Sequence, residues 1–203
     1  MYCAMPSTII RKNNSNKVNQ FFRDGSLIGT TRYTYGFWMD EIIIYDDNTP
    51  VYRFLETNHF IWFLRKCIPI VSLAVSTILN GRYSIFENEK KIGYTKEMWF
   101  KPIENFIINN DHYHLSAHKD EIISLEKNGE QVALYRRTPI EALRVHPNTY
   151  YVEYSTEIET KLVELFCLLV DLLFFTHYNG KTVLKVIVPY DPHPEYTLWH
   201  PDN

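Results

Sequence analysis

Glycine is scarce in this chain, 7 residues in 203, and cysteine is scarcer still, present only as Cys3, Cys67 and Cys167. So few glycines leave little backbone for cradling phosphate, and no P-loop, Gly-x-Gly-x-x-Gly, Gly-x-Ser-x-Gly or His-Glu-x-x-His signature occurs. Three widely separated cysteines without a Cys-x-x-Cys spacing argue against a disulfide framework and a thiolate zinc site. A reducing, cytoplasmic compartment is expected. An excess of one charge is missing too: 21 Lys and Arg face 24 Asp and Glu, a formal net charge of -3. That balance gives no global drive toward nucleic acid, and no nucleic-acid partner is expected.

Long apolar runs are the last absence. The stretch HFIWFLRKCIPIVSLAVSTIL at 59 to 79 contains Arg65, Lys66 and Pro69, leaving 13 uncharged residues from Cys67 to Leu79. A second run, Leu162 to Phe175, is 14 residues long and carries Glu164 and Asp171. Spanning a bilayer as a helix takes roughly 20 residues, so both runs are expected inside protein. The first could instead lie at a membrane interface as an amphipathic insertion. The N-terminus shows no apolar segment followed by a small-residue cleavage site, and no secretory signal is read there.

What the chain does contain is short segments rich in Tyr, Phe, Ile, Val and Thr, broken by polar turns. FFRDGSLIGT (21–30), IYDDNTPVYRF (44–54), IFENEKKIGYT (85–95) and LEKNGEQVALYR (125–136) share one form, a polar turn between apolar flanks. An aliphatic residue follows each turn (Ile28, Val51, Ile92, Val132), and in three units a small residue comes next (Gly29, Gly93, Ala133). The two-residue period of a strand predicts that the aliphatic residue faces a core and its small neighbour leaves room outside. Recurrent hairpins of this kind predict a closed barrel or sandwich, because closure removes exposed edges.

One segment breaks the pattern. Thr156-Glu157-Ile158-Glu159 has the form of a capping box, and LVELFCLLVDLLFF after it is apolar on nearly every side. A helix over about residues 157–177 is expected, buried through Leu162, Leu165, Phe166, Leu169, Leu172 and Leu173. Glu164 and Asp171 fall near one helical face, where they could reach basic partners along a seam or sit at the rim of a core.

The segments GRYSIFENEKKIGYTK, NGEQVALYRR and VELFCLLVDLLFF, in that order, resemble the tubby C-terminal superfamily, which groups the bacterial tubby-like proteins with the LURP-one-related proteins and the phospholipid scramblases. The resemblance spans roughly residues 20–190. It implies a mainly β fold, a closed barrel of about twelve mostly antiparallel strands whose hollow holds the C-terminal helix. Residues 1–19 are then a loose lead-in, 20–190 the barrel domain, and 191–203 a Pro-rich extended tail with Pro192, Pro194 and Pro201, in which Tyr196, Leu198 and Trp199 could strap the tail to the barrel or dock a partner.

The resemblance also implies a non-enzymatic intracellular binding module, cytoplasmic or peripheral to the membrane, that recognises an anionic lipid head group or a membrane-associated partner. No cofactor is implied. Paired cations could serve that role at Lys90, Lys91, Arg136 and Arg137, with Arg65 and Lys66 a further pair, although neighbouring strand residues point to opposite faces. The alternative is a protein-interaction or immunity-type factor using exposed aromatics such as Tyr33, Tyr35, Phe37 and Trp38. A third reading, a metal-dependent enzyme, rests on His112, His114 and His118 alone, and three imidazoles on one strand commonly arise by chance.

Overall fold

Asp, Asn and Gly at the turns do here what their chemistry allows, which is to hold positive φ. Asp24 and Gly25 (φ 51° and 82°), Asp47 and Asn48 (45° and 65°), Asn88 and Glu89 (45° and 66°), Asn109 and Asn110 (50° and 72°), and Asn128 and Gly129 (55° and 91°) form five two-residue turns with both central residues left-handed. This is the type I′ geometry, whose twist matches that of the flanking strands.

The computed structural model describes residues 7–14, 18–32, 41–56, 83–95, 105–118, 122–137, 149–178 and 181–184. Twelve strands run in succession: β1 (Ser7–Asn14), β2 (Val18–Arg23), β3 (Ser26–Arg32), β4 (Glu41–Asp46), β5 (Thr49–Glu56), β6 (Tyr83–Glu87), β7 (Lys90–Thr95), β8 (Asn105–Ile108), β9 (Asp111–Ala117), β10 (Ile122–Lys127), β11 (Glu130–Arg137) and β12 (Thr149–Tyr154). Helix α1 (Thr160–Phe174) follows, and then a separate hairpin of β13 (Phe175–Tyr178) and β14 (Lys181–Leu184). Each barrel strand pairs antiparallel with its sequence neighbours, and β1 pairs with β12 to close the ring. Because the strands alternate up and down, all five tight turns lie at one end of the barrel. No helix among the described residues is long and apolar enough to cross a membrane.

Two boundaries differ from the sequence expectation. The lead-in expected over 1–19 contains β1 and the start of β2, so the barrel begins at Ser7. Ile9 and Arg11 face inward there, and an inward arginine hides the alternation that would mark a strand. The helix starts at Thr160 and ends at Phe174 rather than running over 157–177. Thr156 and Glu159 do not form the capping box. Ser155 Oγ instead accepts the Glu157 N–H at 3.2 Å, and the Glu159 carbonyl accepts both Leu162 and Val163 N–H at 3.0 Å. At the far end, Phe175–Tyr178 leaves the helix to pair with Lys181–Leu184.

The aliphatic residue after each predicted turn occupies a particular position. Register slips by one residue at Phe21/Phe22, Ile44/Tyr45, Ile85/Phe86 and Leu125/Glu126, making Ile28, Val51, Ile92 and Val132 the extra residue of a β-bulge in each hairpin. The bulge corrects the expectation for the small neighbours. Gly29, Gly93 and Ala133 pair with the buried Phe21, Ile85 and Leu125 and face inward with them. Room is needed inside: a Cβ on Gly29 would lie 2.7 Å from Leu168 Cδ2 of the helix and 2.8 Å from the Ile43 carbonyl oxygen.

The bulges also lace the turn end together. The Asn88 N–H donates to Val51 O (3.1 Å), Asn109 N–H to Ile92 O (2.9 Å), and Ser155 N–H to Val132 O (2.9 Å). The bulge carbonyls of Val51, Ile92 and Val132 thus each take a donor from the next connection around the ring. Asn128 N–H, bonded to His112 O at 2.7 Å, ties the β8–β9 and β10–β11 hairpins in the same way.

The helix occupies the hollow. Leu165, Phe166, Cys167, Leu168, Leu169 and Val170 are completely buried, with Leu162 and Leu172 nearly so. The Phe166 ring meets Phe106 edge-on and Tyr113 at a tilt, both at 5.3 Å between centroids. The backbone of Leu173 belongs to the helix, but its side chain is outside the described set. Burying each such large apolar side chain contributes about 1.5–3 kcal/mol, so this one helix supplies much of the core.

Candidate functional site

The two helix carboxylates are engaged by the barrel at opposite ends of the helix. Asp171, fully buried, accepts from Arg11 Nη1 of β1 at 2.8 Å and from the Tyr150 hydroxyl of β12. Burial, and after it the Asp171 charge, push the Tyr150 phenol well above its ordinary range. Arg137 lies on the same inner face, paired in register with Tyr150 and itself 3% exposed. Towards the turn end, Glu164 sits 2.7 Å from Arg23 Nη1 and 3.4 Å from Lys161 Nζ. Lys161 Nζ also reaches Asp46 at 3.0 Å and donates to the Tyr45 carbonyl at 2.9 Å. Burial raises the Glu164 carboxyl above the usual carboxylate range, against the opposing pull of Arg23 and Lys161.

Two tyrosines add ties between barrel and helix. The Tyr52 hydroxyl lies between Glu159 Oε2 (2.9 Å), at the helix start, and Glu87 Oε1 (3.0 Å), at the end of β6. It has one proton and so donates to one carboxylate at a time. Burial, then the two carboxylates as acceptors, raise this phenol far beyond its ordinary value. Tyr135 donates to the Val163 carbonyl at 3.2 Å. These contacts tie the barrel wall to the helix.

The four cations singled out in the sequence are not brought together. Lys90 and Lys91 open β7 beside a tight turn, exposed, with Lys91 lying over the Tyr94 ring at 5.8 Å. Arg136 and Arg137 end β11, at the opposite end of the barrel. Arg136 faces outward, 3.9 Å from Glu153, whereas Arg137 faces the interior. Arg65, Lys66, the aromatics at 33–38, the segment 59–79 and the tail at 191–203 lie outside the described residues.

The histidines separate likewise. His112 and His114 share the outer face of β9; His114 Nδ1 is 3.1 Å from Asn105 Oδ1. His118 is buried beyond the strand, its Nε2 2.8 Å from Ser124 Oγ and its N–H bonded to Ile122 O. Among the described residues no three His, Cys, Asp or Glu side chains are placed to hold a metal ion. Burial pushes the Cys167 thiol well above its ordinary range, which makes it a poor nucleophile.

The outer surface carries a feature that the sequence did not suggest. Between the β4–β5 and β6–β7 hairpins runs an open groove of about 160 Å³, lined by Ile43, Val51 and Phe86 with Glu41, Arg53 and Glu89 around them. Ile43, Arg53 and Phe86 are register partners across three strands, so they form one outward row. Arg53 is held by Glu41, Nε to Oε1, at 2.6 Å. Only the spacing of outward positions, fixed by the bulge at Val51, could have pointed to this site.

Set against known protein families, curated proteins and solved structures, the chain matches none.

Proposed function

We propose that this chain is a non-enzymatic binding module of the tubby-like kind, working inside the cell and recognising its partner on the outside of a barrel filled by its own helix. The observation that carries this reading is the filled hollow: Leu165, Phe166, Leu168 and Leu169 occupy the interior with no exposure. A helix so placed leaves the interior to packing, as in a barrel whose side chains fill it. Asp171 and Glu164, the buried carboxylates of that helix, are matched by barrel cations.

Between the two partner classes, the arrangement of charge favours protein. Head-group recognition needs several cations converging on one phosphate cluster, and Lys90 and Lys91 sit at the other end of the barrel from Arg136 and Arg137. The head-group reading therefore comes down to Lys90 and Lys91, which have Glu87 and Glu89 as sequence and turn neighbours. Flotation of the purified protein with neutral and phosphoinositide-containing vesicles, at low and moderate salt, tests the choice. The protein-partner reading expects no flotation on either vesicle. Salt-sensitive flotation on the anionic vesicles, lost in Lys90→Glu/Lys91→Glu, would establish the head-group reading instead.

A further inference from the structure

Strand β9 presents two imidazoles on the outside of the barrel. Tyr113 and Leu115 face the core, 5% and 0% exposed, so the alternate positions His112 and His114 face out. Same-face neighbours on a strand stand about 7 Å apart, a span that two imidazole side chains can close onto one ion. The backbone is fixed here on both sides. The His112 N–H donates to Asn128 Oδ1 at 2.9 Å and its carbonyl accepts the Asn128 N–H at 2.7 Å, while Ile107 and Asn105 of β8 are the register partners of His112 and His114.

Asn105 also sets the tautomer of His114, whose Nδ1 lies 3.1 Å from Asn105 Oδ1. An amide oxygen only accepts, so Nδ1 carries the hydrogen and the lone pair is left on Nε2. A metal-binding histidine is arranged in this way, with its other ring N–H held by an oxygen. Glu126, the register partner of His114 on β10, adds a carboxylate to the same face. Asp111 is engaged by Lys127 at 3.1 Å and by Asn128 at 2.8 Å and takes no part. His118 is committed elsewhere, its Nε2 2.8 Å from Ser124 Oγ.

We propose that His112 and His114 together bind one divalent transition-metal ion, through Nε2 of His114 and a ring nitrogen of His112, with water in the remaining positions. Imidazole donors suit copper, nickel and zinc, with copper(II) the tightest of the three. Magnesium and calcium, which take oxygen ligands, are passed over. Two protein ligands fall short of the three or four of a catalytic or structural zinc site, in keeping with the lack of any cluster of three metal-binding side chains among the described residues. The ion is therefore exchangeable, and the site is independent of which partner the module binds.

The test is a titration of the metal-free ¹⁵N-labelled full chain with zinc chloride, read on the ring nitrogens of all eight histidines. Those of His112 and His114 are expected to shift together and to saturate at one ion per chain, with those of His118 unmoved. His112→Gln and His114→Gln should each weaken zinc by about ten-fold or more, because two linked ligands hold an ion far more tightly than either alone. Asn105→Ala, which keeps both histidines, should weaken it by about ten-fold through loss of the orienting oxygen; an unchanged affinity there would overturn the part given to Asn105. Because all three positions face outward, the variants should keep the wild-type urea midpoint. A loss below about two-fold in either histidine variant would show that the imidazoles act separately and would overturn the shared site. Zinc shifts confined to other histidines, or no shift of these two rings up to millimolar zinc, would overturn it as well.

Discussion

Arg11 of the first strand and Asp171 of the helix are 160 residues apart in the chain and 2.8 Å apart in space. Both side chains are essentially inaccessible, 1% and 0% exposed. The pair joins the first strand to the helix inside the barrel, where β1 closes the ring against β12.

Breaking that pair by one partner leaves the other charge buried, which costs about 3–5 kcal/mol. Arg11→Met and Asp171→Leu are each expected to lower the urea midpoint sharply. The double variant should lose clearly less than the sum, since neither charge then remains without its partner. Additive losses would show that the two side chains act independently.

Glu164 behaves differently because its folded-state carboxyl is raised by burial. The folded protein then holds this proton more tightly than the unfolded chain. Stability from this group is greatest below its unfolded value and falls as pH rises from that ordinary carboxylate value through the raised folded one. Glu164→Gln removes the ionisation, so its stability relative to wild type should rise across that window and stay higher at neutral pH. Urea unfolding at several pH values checks the sign. A variant that becomes progressively less stable than wild type as pH rises would contradict it.

Gly29 is the inward gap that admits Leu168. Its Cβ would meet both the Leu168 methyl at 2.7 Å and the Ile43 carbonyl at 2.8 Å. Gly29→Ala is expected to cost about 1–3 kcal/mol through overpacking. Leu168→Ala alone opens a cavity at about 2–5 kcal/mol. Together they should cost less than their sum, and only in part, because the Ile43 oxygen still resists the new Cβ. Chemical denaturation of the four proteins in the cycle measures this coupling.

Glu89 holds φ 66° with a side chain that dislikes it. Glu89→Gly should stabilise the fold by about 0.5–1 kcal/mol, by relief of left-handed strain partly offset by glycine's entropy. In contrast Gly129→Ala, at φ 91°, should destabilise by a similar amount. Thermal melts of the two variants should therefore move in opposite directions.

Leu169 lies fully buried in the middle of α1. A carboxylate there has no barrel cation of its own, and its burial costs several kcal/mol against a total of about 5–15. Leu169→Asp is expected to abolish soluble folding. A folded variant with an unchanged melting temperature would contradict the buried helix.

How much of this was legible depended on whether local chemistry decided the outcome. Asp24-Gly25, Asp47-Asn48 and Asn128-Gly129 announce their turns because few other residues accept positive φ, and Asn88 marks a fourth in spite of Glu89. The helix announced itself because Leu165 to Val170 can only be surrounded. Arg11 was illegible: an inward cation in IRKNN reads as a solvated strand or a loose end, and only its partner 160 residues away explains it. The inward turn of Gly29 and Gly93 was illegible too, since a bulge changes which face a residue takes and the sequence shows only the alternation. Lys91 and Arg136 looked like one potential surface because each follows a similar hairpin pattern. The up-and-down topology places one at the turn end and the other at the opposite end. The outer groove depends on three strands in register, which no single segment displays.

The proposed binding module requires its helix to stay inside the barrel while a partner binds outside. Amide hydrogen exchange of the full chain, recorded alone and with neutral or phosphoinositide-containing vesicles, tests this most directly. The amides of Phe166 to Val170 are expected to exchange only through global unfolding, at the free energy given by urea melts, and to keep that protection with every ligand. Exchange of these amides through an opening well below the global stability, or loss of protection on adding vesicles, would contradict it.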